Sequence, residues 1–382
     1  MTKKCSPNYL RRARYYIFTA VGILITAAGV SAQDITSDTA DADMKTMPDA
    51  TVSRVSKFFN KHGNILISDQ FNNRVIEVQT NGNIIWQYGL GPDDLTETSP
   101  IGVNDAERVG TRTLIACTGL APGLDGAVPD GVVDNRVILV DAAGQTVWQY
   151  GEFGQTGNGS NQLNTPVQAT WLPGNNVLIT DQGNNRIIEV NMKKKITWQY
   201  PGSNTNDADQ LNSPNSAELL GNGHILIADE NNSRAIEVTR ADKIVKTFSA
   251  GGTLVVLGFA SRLPNGDTLL TDSGNSRAVE VNKNDQVVWQ YYTDTNALSF
   301  PAPMPSHAIR LKNGDTLISD QINNRVLRVT KTGKVAMSYG LPLGFGGTIG
   351  DNAGYDTNTT QNGINWPYDA KLIGDYTGLT SP

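Results

Sequence analysis

The sequence predicts an all-β fold, a six-bladed β-propeller of four-stranded antiparallel blades whose ring is closed by the C-terminal strand. Three observations lead there. One unit recurs six times along the chain. Each unit reads as strands separated by Asn-, Asp- and Gly-rich turns. A further copy of the opening strand stands alone near the C-terminus.

The unit is plainest in Asn176-Val-Leu-Ile-Thr-Asp181-Gln-Gly-Asn-Asn-Arg186-Ile-Ile-Glu-Val190, which nearly repeats Asn64–Val78. It returns at His224–Val238, Asp267–Val281 and Asp315–Val329, and the marker Asp advances from 181 to 229, 272 and 320. Steps of 48, 43 and 48 residues are the length of one four-stranded blade. A sixth copy is split by an insertion between Cys117 and Asn135. An apolar run, an Asx-rich turn, an alternating Arg-Val-Ile-Glu-Val run and a closing Trp-Gln-Tyr (Trp86, Trp148, Trp198 and Trp289) give three strands. Segments such as Thr165–Leu172, Ser213–Leu220 and Met304–Leu311 supply the fourth. A single blade buries neither face alone, whereas blades stacked in a ring bury both.

Pro367–Leu372 is an opening strand with no unit behind it, and Ser53–Phe59 is a poor opening strand for the first unit. The C-terminal strand therefore completes blade one. A seventh, composite blade from residues 51–59 and 367–382 is the alternative.

Residues 1–32 combine a basic start, an apolar run from Tyr15 to Val30 and a small-residue end at Val30-Ser31-Ala32, the pattern of a secretory signal peptide. An uncleaved anchor is the rival reading, since the run approaches spanning length. Residues 33–50 are polar and acidic and read as a tether, leaving 51–382 as the propeller. The expected location is secreted or periplasmic. Cleavage removes five basic and no acidic residues, so the mature chain carries −11. That charge argues against nucleic acid and against anionic membrane as partners. One cysteine, Cys117, remains and no internal disulfide can form.

Asp69, Asp181, Asp229, Asp272 and Asp320 each precede an Arg by five residues, and a motif present in nearly every blade reads as architecture. Cys117 stands where blade two lacks that Asp and reads as a small buried residue. The opening strands differ at the residue before a recurrent Ala: Asp105, Gln168, Ser216, Phe259, His307 and Asp369. Innermost strands line the axis, so Asp105, Gln168, Ser216, His307 and Asp369 are candidate ligand-binding residues. They could hold a cation or polar ligand, or only channel water. The period of two leaves open which of two neighbouring positions faces the channel. In the insertion, Asp125, Asp130 and Asp134 offer oxygen ligands on tight turns that would suit Ca²⁺, although Asp-Gly is also ordinary turn chemistry. No phosphate loop, nucleophile elbow or zinc spacing is present in the sequence.

The core Leu-Ile-x-Asp-x-x-Asn-Asn-Arg-Val-Ile-Glu-Val resembles the NHL repeat, and the Pro-x-x-Ala-x-x-Leu and Val-Trp-Gln-Tyr phrases resemble arylsulfotransferase-like propellers. The resemblance implies the fold over residues 52–375. Both groups include binding proteins and enzymes. The expected function is a binding or scaffolding module for a protein, glycan or small ligand on one propeller face. The alternative is an axial lyase or arylsulfotransferase-type enzyme with His307 as catalytic acid/base. The enzymes of these groups use several axial histidines, whereas this chain has His62, His224 and His307, the first two in turns. Export makes a direct prediction. Intact mass of secreted material should place the mature N-terminus at Gln33, and full-length chain recovered in membranes would favour the anchor.

Overall fold

The computed structural model describes residues 55–124, 128–202, 209–295, 299–340 and 363–375. The expected signal peptide and tether lie outside these. The described residues form six four-stranded antiparallel sheets in a ring, each running from an inner strand to an outer one. Blade one is ordered Pro367–Leu372, Ile65–Asp69, Arg74–Val78 and Ile84–Tyr88, so the C-terminal strand supplies its inner strand. The register runs Ile65↔Leu372 and Ile67↔Ala370. Blades two to six follow in chain order, beginning with Val103–Val109, Pro166–Leu172, Pro214–Leu219, Leu257–Arg262 and His307–Arg310.

The second strand of each blade is an apolar run buried on both faces, as its place between neighbouring sheets requires. Each marker Asp ends that strand and is followed by a short 3-10 turn. An Asn or Ser then takes left-handed backbone, at φ 48° for Asn73 and 52° for Asn324. Asn tolerates that region better than most side chains. Its side chain also reaches the next blade: the Asn73 and Asn185 amide oxygens accept the Gly102 and Ser213 backbone N–H groups.

The Asp–Arg pairs are framework. Arg74, Arg186, Arg234, Arg277 and Arg325 meet their Asp partners at 2.6–2.7 Å. The Asp also accepts a backbone N–H from the chain entering an inner strand, as Asp69 does from Asn365 and Asp181 from Asn164. Blade two reaches the same arrangement by another route. Asp134 pairs with Arg136 at 2.5 Å and accepts the Ile101 N–H at 2.8 Å. Cys117 is buried beside it, and burial pushes its thiol well above the ordinary range, which leaves the group inert.

The Trp-Gln-Tyr strands join neighbours. The indole N–H of Trp86, Trp148, Trp198 and Trp289 donates to a turn carbonyl of the next blade, at Ala142, Met192, Arg240 and Lys331. Between blades one and two, Arg108 pairs with Glu77 at 2.7 Å and lies over the Trp86 and Phe59 rings. Arg310 repeats this with Glu280 and Trp289. A buried pair braced by an aromatic face fixes how adjacent sheets sit more than it adds net stability.

Closure by one strand has a measurable consequence. A chain ending at Gly350 lacks the inner strand of blade one and exposes the edge of Ile65–Asp69. Thermal unfolding followed by circular dichroism should lose its single cooperative transition. A truncated chain that melts like the full one would refute closure.

Candidate functional site: the propeller axis

The inner strands place both neighbouring candidate positions at the axis. In five blades the pairing of inner and second strands shifts by one residue, as between Val103↔Cys117 and Asp105↔Ala116. The extra residue of this β-bulge (Asn104, Val167, Asn215, Gly258 or Tyr368) escapes the alternation. The axial cavity is consequently lined by Asn104 and Asp105, Val167 and Gln168, Ser306 and His307, Tyr368 and Asp369. Asn215, Gly258 and Phe259 complete it, while Ser216 stays behind Asn215, buried.

Most of the candidate residues are committed to the blade next door. Asp105, Gln168, Ser216 and Asp369 accept the backbone N–H of Ala169, Ala217, Ala260 and Ala106 at 3.1, 2.6, 3.1 and 3.5 Å. One turn of the alternation further, Glu107 and Glu218 accept the Trp171 and Arg262 N–H groups, each at 2.8 Å. At four of the six positions the varied side chain receives a neighbour's amide. Phe259 and His307 break the ring of acceptors. The His307 ring is edge-on to Phe259, and its Nδ1 contacts the Asp369 carboxylate.

Lys371 was invisible as a site residue until the strand was placed. It lies two residues beyond Asp369, hence on the same strand face. Its Nζ lies 2.5 Å from Asp105 Oδ1, 2.6 Å from Asp369 Oδ2 and 3.0 Å from the Ala106 carbonyl. Burial would lower the ammonium pKa, but the two carboxylates outweigh it and raise it. Burial pushes Asp105 up to about 6 despite Lys371. At Asp369 burial is overruled by His307 and Lys371, which hold that carboxyl well below the usual range.

The axis is also plugged. The Tyr368 hydroxyl crosses from blade one to donate to Asn215 Oδ1 of blade four, the opposite blade, at 2.9 Å. Asn215 in turn donates to Glu230, which also receives Gln182. Gln321, Gln70 and Asn104 make a second amide chain, at 2.9 and 2.8 Å. The remaining space offers about 10 Å³ to the centre of a water molecule, enough for about one water.

The other candidates do not join this cluster. Asp134 is engaged by Arg136 and by the Ile101 N–H. Asp130 is exposed on its loop and Asp125 lies outside the described residues. Among the described residues no group of three or more His, Cys, Asp or Glu side chains has metal-binding geometry. His62 is exposed, and His224 pairs with Glu237 at 2.7 Å in its turn. Away from the axis, an open concavity of about 240 Å³ between blades three and four is lined by Asn158, Asn184, Arg186, Gln199, Pro201 and Gln210.

No protein-family model matches this chain, and no curated protein does. Solved structures share its fold. A protein of unknown function from Bacteroides caccae is 15% identical with a TM-score of 0.50, covering 73% of this chain and 93% of its own. Virginiamycin B lyase from Staphylococcus aureus is 14% identical with a TM-score of 0.43, covering 64% and 71%. The WD40 propeller domain of Doa1 is 14% identical with a TM-score of 0.46, covering 74% and 84%. Likeness at these identities extends to the propeller fold and no further.

The buried carboxyls predict a pH dependence. Burial pushes Glu107 up to about 8 and Glu230 up to about 7, so the folded state holds their protons more tightly than the unfolded one. Their contribution is complete below the unfolded value of about 4.5 and is lost as pH rises through the folded values. The melting temperature should fall between pH 5 and pH 8, and Glu107→Gln should flatten that fall. An unchanged slope in the variant would contradict the assignment.

Proposed function

We propose that this chain is an exported propeller of the NHL- and arylsulfotransferase-like kind, working as a binding or scaffolding module for a protein, glycan or small ligand. The observation that carries this reading is the filled axis. Room for about one water falls far short of the several hundred Å³ of an ordinary ligand pocket. An axial lyase or sulfotransferase would need substrate beside His307, which is buried between Phe259 and Asp369.

Binding belongs instead on the face that carries the long connections, such as 89–102 and 151–165, because scaffolds place recognition on loops. The concavity between blades three and four lies on that face. Its side-chain amides and one guanidinium, already engaged by Asp181, suit a hydroxyl-rich ligand. A glycan and small-ligand screen on mature protein tests this. Gln210→Trp, which fills the concavity, should abolish the binding found. His307→Ala should leave binding intact while costing about 2 kcal/mol of stability, because it removes a buried partner of Asp369. The reverse pattern, binding lost with His307→Ala and kept with Gln210→Trp, would return function to the axis.

A further inference from the structure

The exposed charges are sorted by face without exception among the described residues. Turns joining first to second and third to fourth strands open on one face. Those joining second to third strands, and one blade to the next, open on the other. Every exposed lysine and arginine is on the first, the short-turn face. Lys193, Lys194 and Lys195 occupy the outer turn of blade three, Lys283 that of blade five, and Lys331 and Lys334 that of blade six. Every exposed carboxylate (Asp93, Glu97, Asp130, Glu152 and Asp294) is on the long-loop face.

Acids do occur on the short-turn face, but they are only half-exposed, and most are tied into turns. Asp141 accepts the Ala143 and Gln145 N–H groups, Asp285 accepts those of Ser249 and Ala250, and Asp315 pairs with Arg328. What that face offers a partner is therefore cationic. Apolar groups accompany the lysines. Phe58 is 44% exposed, with the Lys57 ammonium 5.0 Å from its ring. Val287, 42% exposed, begins the outer strand beyond the blade-five turn, and Val245, 46% exposed, is second in the outer strand of blade four, beyond a turn carrying exposed Arg240 and Lys243.

We infer that the short-turn face docks on an anionic lipid leaflet, turning the long-loop face outward. Phosphate headgroups match lysines spread over a plane, and exposed Phe and Val side chains match the boundary beneath them. A dissolved polyanion would use the lysines but not the apolar groups. The acidity of the chain as a whole does not oppose this. Strands of five to seven residues make the blades ~17–23 Å tall. The Debye length at physiological salt is about 8 Å, so the acidic face is screened from the surface.

Co-sedimentation of the mature chain with vesicles tests the inference. It should bind phosphatidylcholine vesicles only when they contain phosphatidylglycerol, and release them at high salt. Lys193→Glu, Lys195→Glu, Lys331→Glu and Lys334→Glu together should weaken binding by on the order of 100-fold or more. Lys194 is left alone because its backbone is left-handed, at φ 62°. Asp93→Lys with Asp294→Lys on the far face should change little, and Phe58→Ala should weaken binding at unchanged salt dependence. Melting curves confirm that each variant is folded. No binding to phosphatidylglycerol vesicles at physiological salt would overturn the proposal. So would equal binding by the reversed variant, or tighter binding to soluble polyphosphate with no effect of Phe58→Ala.

Discussion

Everything in this molecule depends on the pairing of Pro367–Leu372 with Ile65–Asp69. Each blade buries its faces only against neighbours, so an open ring would leave two sheets half-solvated and a strand edge bare. The same short strand carries Tyr368, Asp369 and Lys371. Tyr368 spans to the opposite blade, Asp369 receives the Ala106 amide, and Lys371 binds Asp105 of blade two. Closure and the axial lock are one event, made by residues more than 250 positions from some of their partners.

A buried cluster of His307, Asp369, Lys371 and Asp105 would ordinarily mark an active site. Its geometry points the other way. Lys371 bridges the two carboxylates, one oxygen of each accepts a neighbouring backbone amide, and the space left is that of about one water. Such a network adds little net stability, since desolvation offsets the ion pairing, but it admits only one arrangement of inner strands. The cluster ties blades six, one and two together at the seam, through His307, Asp369 with Lys371, and Asp105.

The fold was legible because the repeat is a physical unit. Blade length, the Asp–Arg pairs, the Trp positions and the lone strand at Pro367 all follow from one phrase read six times. The axis was legible only in part. Strict alternation predicts that Asn104 and Asp105 face opposite ways, and a bulge, which has no mark in the sequence, turns both inward. The pairing of Asp134 with Arg136 was not legible, because blade two places the Asp two residues before its Arg and the other blades place it five before. Net charge is the coarser description of this surface. It averages over two faces of opposite sign, and the sorting appears only once each lysine is assigned to a turn.

Native-state hydrogen exchange tests the central claim, that the closing strand locks six blades into one cooperative unit. Amides of Ile65–Val78 in blade one and of Ile225–Val238 in blade four should exchange with the same opening free energy, that of global unfolding. Markedly faster exchange confined to blade one would mean that the ring opens at its seam, and would contradict the claim.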